Sequence, residues 1–163
     1  MTYHAILLVA HIISAVIWLS FLPTDLLLRQ FIASSKGKPE QKKFISFYLK
    51  QGNLTGMIGM TGVFVTGILL VFYLPYYGFF QFTANHWLAT KQVIMVIIIL
   101  ITATQLVPKA KTLRTKLTSK LDSNEELGNE FFQNLSKLYS IITISNILVL
   151  INLLLAITHR FFG

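Results

Sequence analysis

The chain lacks cysteine altogether, and charged residues make up only 12% of its 163 residues. Without cysteine it has no disulfide framework, no cysteine-ligated zinc site and no iron–sulfur cluster of its own. Soluble domains usually carry about 25% charged residues, so this shortage of charge points to lipid as the surrounding medium. The motifs G-x-x-x-x-G-K and H-E-x-x-H are also missing, which argues against soluble nucleotide or protease chemistry.

Apolar residues are abundant, at 54%, and they gather into four long stretches. The stretches run from about Ala5 to Leu28, Leu54 to Tyr76, Trp87 to Val107 and Leu138 to Thr158. Each has roughly the 20 residues that ~30 Å of hydrocarbon requires of a helix, and a helix satisfies its own backbone polar groups in lipid. We therefore predict an all-α integral membrane protein, a four-helix bundle forming a single transmembrane domain over residues 1–163. The first stretch is too long for a signal-peptide core and lacks a basic segment before it, so we expect it to be retained.

The basic residues fall into two of the three connecting segments. Segments 29–53 and 108–137 are rich in lysine and arginine, whereas Gly78 to Asn85 carries no charge. The positive-inside rule makes the two basic segments cytoplasmic loops and places both termini on the outer, periplasmic side of a bacterial cytoplasmic membrane. This topology explains the net charge of +8 without nucleic acid, and binding of anionic lipid headgroups is a smaller addition.

Ionisable residues in membrane helices are costly and are therefore candidates for function. At 100° per residue, one stripe of the first helix carries His4, His11, Trp18, Asp25 and Arg29, and we expect it to face the bundle. Asp25 and Arg29 are four residues apart and should pair at the inner membrane edge. For His11, three roles remain open: a hydrogen bond to another helix, ligation of a metal or haem iron, and proton relay.

Lys91 lies one helical turn below Trp87, and the sequence offers no acidic residue at that depth. Its side chain either snorkels outward or meets an anion such as the carboxylate of a ligand. The predicted topology also puts all four histidines in the outer half of the membrane or at its edge. His11 and Lys91 are thereby expected at one depth.

Three further patterns concern packing. Glycines share one face of the second helix and either let another helix approach closely or leave room for a flat cofactor. They are Gly52, Gly56, Gly59 and Gly67. Asn146 and Asn152 are expected to hydrogen-bond across helices. Ser123 and Glu126 fit a capping box ahead of the fourth helix.

The stretch AHIISAVIWLSFLPTDLLLRQF, with His11 and Trp18, resembles the opening helix of the HemJ-type protoporphyrinogen oxidases. The stretch HWLATKQVIMV resembles the Trp-Leu-x-x-Lys start of a later helix in that family, at Trp87 and Lys91. The wider superfamily includes CopD-like copper-associated membrane proteins with the same four-helix pattern. The resemblance implies haem b bound through His11, with Trp18, Trp87 and Lys91 at the cofactor. It also implies Lys91 as the essential catalytic residue in the oxidation of protoporphyrinogen IX.

Two other functions remain open from the sequence. One is a CopD-like copper-handling protein, although Met57 and Met60 are predicted far from the outer histidines. The other is an accessory transmembrane subunit of a larger membrane complex, without a catalytic site of its own. Four helices leave much surface facing lipid, so a homo-oligomer or a larger assembly is expected in either case.

Overall fold

A computed structural model describes residues 2–74, 76–120 and 127–162 and, within them, all side chains except those of residues 2 and 159–162. Six α-helices and one π-helical segment make up most of these residues, and no strand occurs among them. The elements are α1 (Thr2–Leu19), α2 (Phe21–Ser34), α3 (Glu40–Tyr73), α4 (His86–Ile101), the π segment (Thr102–Leu106), α5 (Val107–Thr118) and α6 (Asn129–Phe162). The all-α prediction is confirmed.

The helices form four spans that are long and apolar enough to cross a membrane. They are Tyr3–Ser34, Glu40–Tyr73, His86–Thr118 and Asn129–Thr158, with mean hydropathy between 2.0 and 2.5 over their most apolar windows. The prediction of four membrane helices is confirmed, and the chain is a multi-pass membrane protein. The direction in which its termini face stays a prediction.

The predicted basic loops 29–53 and 108–137 are largely helical. The helices extend far past the apolar stretches because the basic segments are amphipathic, with Ile45 and Leu113 buried while Lys43 and Lys116 are exposed. Charge ends an apolar run but does not end a helix, so the apolar stretches mark the lipid-spanning part rather than the helix bounds. The capping box at Ser123 and Glu126 lies outside the described residues.

Two prolines explain the two interruptions of the spans. Pro23 has no N–H to offer the carbonyl of Leu19, and α1 gives way to α2 at Ser20, just before it. Pro108 likewise cannot bond to the carbonyl four residues earlier. The π segment, in which the backbone hydrogen bonds span five residues instead of four, ends two residues before it.

The bundle has two unlike ends. We call the end that carries the lysine-rich segments the basic end, and the end that carries α1 and the connection 74–85 the uncharged end. α1 and α2 pack along α3, while α4 and α5 pack along α6, and α3 meets α5 near the basic end. The hydrophobic core lies at the basic end. Its least accessible members, each under 3% exposed, are Ile45, Tyr48, Leu113, Leu117, Leu135 and Leu138.

Candidate functional site

His11 is half-buried between α1 and α3, where it joins a short chain of hydrogen bonds. Its Nδ1 lies 2.8 Å from Oγ1 of Thr66, and the Thr66 hydroxyl donates to the carbonyl of Gly62 at 2.5 Å. A hydroxyl has one proton, so Thr66 accepts from His11 and Nδ1 carries the hydrogen. Nε2 then holds the lone pair, which is the tautomer that a metal ligand or proton acceptor needs.

Lys91 lies on α4 in the same half of the bundle. Its ammonium sits over the indole ring of Trp87 at 5.7 Å. The Asn152 amide donates to the Lys91 carbonyl at 3.5 Å, so this asparagine bonds across helices as predicted. No acidic side chain pairs with Lys91 in the part of the chain that the structure describes.

Trp87 and Trp18 lie in different surroundings. Trp87 packs edge-on against Tyr77, with ring centroids 5.9 Å apart, at the uncharged end. Trp18 is seven residues along α1 from His11, roughly 10 Å further toward the basic end. Its backbone faces Gly59, where a Cβ would lie 2.7 Å from the Trp18 Cα. The structure thus brings Trp87, Lys91 and His11 into one half, while Trp18 belongs to the middle of the bundle.

The glycines of α3 lie in different surroundings. At Gly59 and Gly62 an added Cβ would collide with Trp18 and Ser14, so these glycines let α1 approach. A Cβ on Gly67 would touch the His11 ring at 3.5 Å. Around Gly56 there is nothing within 4 Å of an added Cβ, so this position opens into free space.

That free space is a cleft of about 280 Å³ between α3, α5 with the π segment, and α6. Its apolar wall includes Trp18, Phe21 and Met60, and its polar groups include Arg114, Ser145 and Asn146. Asn146 is 9% exposed and lines this cleft, and the cross-helix hydrogen bond predicted for its side chain does not occur among the described residues. Sequence reasoning missed Arg114 and Ser145, because a basic residue beyond an apolar stretch looked like a topology signal only.

The predicted pair of Asp25 and Arg29 is confirmed. Arg29 donates to both carboxylate oxygens, at 2.8 Å from Nε and 2.7 Å from Nη2. The Tyr48 hydroxyl donates to the same carboxylate at 2.6 Å, which links α2 to α3. Arg29 also bonds to the carbonyl of Tyr139 at 3.1 Å and stacks on its ring at 4.6 Å. The Asp25 carboxylate, the Arg29 guanidinium and the Tyr48 hydroxyl are all bonded, whereas the buried Tyr139 hydroxyl has no hydrogen-bond partner among the described residues. The three bonded groups hold the basic end together rather than offering a site.

Metal chemistry is limited by the ligands at hand. Within the described residues, no group of three or more His, Cys, Asp or Glu side chains could hold a metal ion. His4 is half-buried and His86 is exposed, both toward the uncharged end, while the His159 side chain lies outside the described set. A site built on His11 would therefore need a metal that arrives with most of its ligands.

Comparison of the chain with protein-family models, with curated proteins and with solved structures finds no match.

Proposed function

We propose that the chain is a membrane haem b protein that ligates the haem iron through Nε2 of His11. The observation that carries this proposal is the hydrogen-bond chain from His11 through Thr66 to Gly62, which leaves Nε2 as the electron-pair donor. Histidines that ligate metals almost always donate their other N–H to an oxygen, because this fixes the ring orientation. The resemblance of the His11 and Lys91 stretches to the HemJ-type proteins supports the same assignment.

The donor set suits haem better than a bare ion. A porphyrin brings four nitrogens of its own, so the protein supplies only one or two axial ligands. A copper site would need several ligands from the chain, and no such cluster occurs among the described side chains. Met57 and Met60 line the cleft near the middle of the bundle, away from His11. The CopD-like copper function therefore draws less support.

Lys91 is the residue that would meet an anionic edge of the cofactor or substrate. Its ammonium lies over the Trp87 ring, and no carboxylate of the described chain pairs with it. Haem and porphyrinogens are largely apolar rings that carry propionate groups, and such a carboxylate would pair with the Lys91 ammonium. Bound haem supplies one-electron chemistry, so the proposed activity is a membrane oxidoreductase of the protoporphyrinogen oxidase type. The basic segments support placing the basic end in the cytoplasm, in a bacterial inner membrane.

The test is an absorption spectrum of the full chain after mild-detergent extraction from cells supplied with haem. We expect a Soret band and a reduced-state α band in the wild type, and loss of both in His11→Ala. His86→Ala is the matched control, because His86 is an exposed histidine of the same half and should keep the spectrum. A wild type without a Soret band would remove the haem proposal and favour an accessory subunit.

A further inference from the structure

The cleft at the middle and basic end of the bundle has its own chemistry, separate from His11. Along α3 it extends from Tyr48 to Met60, which is roughly 18 Å at 1.5 Å per residue. At about 280 Å³ it lies near the lower end of the range for small-molecule pockets. It is thus an elongated site rather than a small packing defect.

One end of the cleft is cationic. Arg114 and Lys111 both line it, and no acidic residue within 2–74, 76–120 and 127–162 does. Arg114 donates from Nη2 to the carbonyl of Leu49 at 2.6 Å, while its buried Nε has no partner among the described residues. A buried guanidinium nitrogen without an acceptor is costly, and a carboxylate or phosphate is the group that satisfies it best.

A second polar group points to the same conclusion. Ser145 lines the cleft from α6, is 7% exposed, and its hydroxyl finds no hydrogen-bond partner in the described part of the chain. Buried hydroxyls are normally bonded, so this one calls for a polar atom in the cleft. The rest of the wall near the mid-bundle end, at Trp18, Met57 and Met60, is apolar or aromatic.

We propose that this cleft binds an elongated anionic amphiphile, with its acid group at Arg114 and Lys111 and its hydrocarbon chain toward Trp18 and Met60. Such a molecule matches the charged end, the apolar end and the length together. Two sources share this chemistry: an anionic phospholipid of the bilayer and a free fatty acid. The proposal is independent of haem binding at His11.

Gly56 provides a way to close the cleft. A Cβ at this position meets nothing within 4 Å, so a larger side chain can enter the free space without striking the backbone. Gly56→Phe would fill the site from the wall of α3. Leu54→Phe is the matched control, because Leu54 is 57% exposed on the same helix and does not line the cleft.

The two tryptophans make binding measurable. Trp18 lines the cleft and Trp87 does not, so in a Trp87→Phe background the remaining fluorescence reports on the cleft. The full chain in phosphatidylcholine nanodiscs is titrated with bromine-labelled palmitate and, separately, with its uncharged methyl ester. We expect saturable quenching by the acid, with about tenfold weaker binding of the ester, since one charge-assisted hydrogen bond is worth about a factor of ten or more.

The variants separate a bound ligand from general lipid contact. Gly56→Phe should abolish the saturable quenching and Leu54→Phe should keep it. Arg114→Gln should weaken binding about tenfold. Lys111→Gln removes the other positive charge of the cleft at an exposed position, where the fold is not affected, and should also weaken binding of the acid. Lys43→Gln, outside the cleft, should leave the binding unchanged. Equal quenching by acid and ester, or quenching that survives Gly56→Phe, would overturn the proposal.

A competition experiment distinguishes a bilayer phospholipid from a free fatty acid as the occupant of the cleft. Adding phosphatidylglycerol to the nanodiscs should compete with palmitate if the occupant is a bilayer phospholipid, and should not if it is a free acid. The haem spectrum of Gly56→Phe is recorded in parallel. An unchanged spectrum agrees with two separate sites, whereas loss of the Soret band would assign the cleft to haem and overturn the amphiphile proposal.

Discussion

At the basic end of the bundle, Asp25 is 3% exposed and Tyr48 is 1% exposed, and the two are joined by a hydrogen bond. At the uncharged end, none of the described side chains of α1 is buried, and the His11 ring bonds to the Thr66 side chain of α3. Both ends use polar groups on the inner faces of apolar helices. At the first end the Asp25 carboxylate, the Arg29 guanidinium and the Tyr48 hydroxyl pair with one another, while the second end leaves Nε2 of His11 and the Lys91 ammonium for a ligand.

This difference distinguishes the residues that stabilise the bundle from the residues that are available to bind a ligand. Interactions that anchor a fold are fully paired, because a half-satisfied polar network destabilises more than an apolar core does. Sites that bind ligands are drawn from the less packed, less stable parts of a protein. The cluster of Asp25, Arg29 and Tyr48 therefore serves as the frame on which the His11 half and the cleft are positioned.

The largest effect should follow from Asp25→Asn. The substitution leaves the Arg29 guanidinium without its counter-charge beside Tyr139, and we expect the free energy of unfolding to fall by about 2 kcal/mol, less than for a fully buried pair because Arg29 is partly exposed. Denaturation in mixed detergent micelles measures it. Glu130→Gln, which breaks the exposed pair with Lys116, is the control and should show no change. Equal effects of both variants would contradict the role of the Asp25–Arg29 pair in stabilising the bundle.

Gly59→Ala should come next. The added Cβ would lie 2.7 Å from the Trp18 Cα, so α1 must move away from α3, at a cost of about 1–2 kcal/mol. Gly56→Ala is the matched control on the same helix face, where the Cβ meets open space. There the substitution should be neutral or stabilising, because alanine restricts the unfolded chain. Thermal unfolding of the two variants, measured side by side, tests the pair.

Tyr48→Phe should have a smaller effect on stability. It removes one hydrogen bond to Asp25 and keeps the ring packing against Phe21 and Tyr139, so the expected loss is about 1 kcal/mol. Asp25 retains both bonds from Arg29 and is not left unpaired. The same unfolding assay measures the change, and a loss as large as that of Asp25→Asn would mean that the hydroxyl, not the ion pair, organises the cluster.

The contacts that could be predicted from the sequence differ between the two ends. The Asp25–Arg29 pair was predictable, because a spacing of four fixes two side chains on one helix. Tyr48 and Tyr139 were not, since their meeting depends on how α3 and α6 are rotated about their axes. Likewise, hydropathy located the four spans, but the cleft arises from the π segment before Pro108 and from Gly56, whose effects on packing no local pattern shows.

The smallest effect on stability, with the most specific consequence for function, is expected for Thr66→Val. The change removes the oxygen that accepts from Nδ1 of His11 and keeps the shape of the side chain, on a helix that is only partly buried at this point. Unfolding should shift by less than about 1 kcal/mol. The imidazole would then be free to rotate or change tautomer, so we expect haem to be retained with a shifted reduced α band and weaker affinity, measured by haem titration.

Thr61→Val, at an exposed threonine of the same helix, should leave the spectrum unchanged. If Thr66→Val matched the wild type in both band position and affinity, the hydrogen bond to Thr66 would have no part in holding His11, and the haem proposal would lose the observation that carries it.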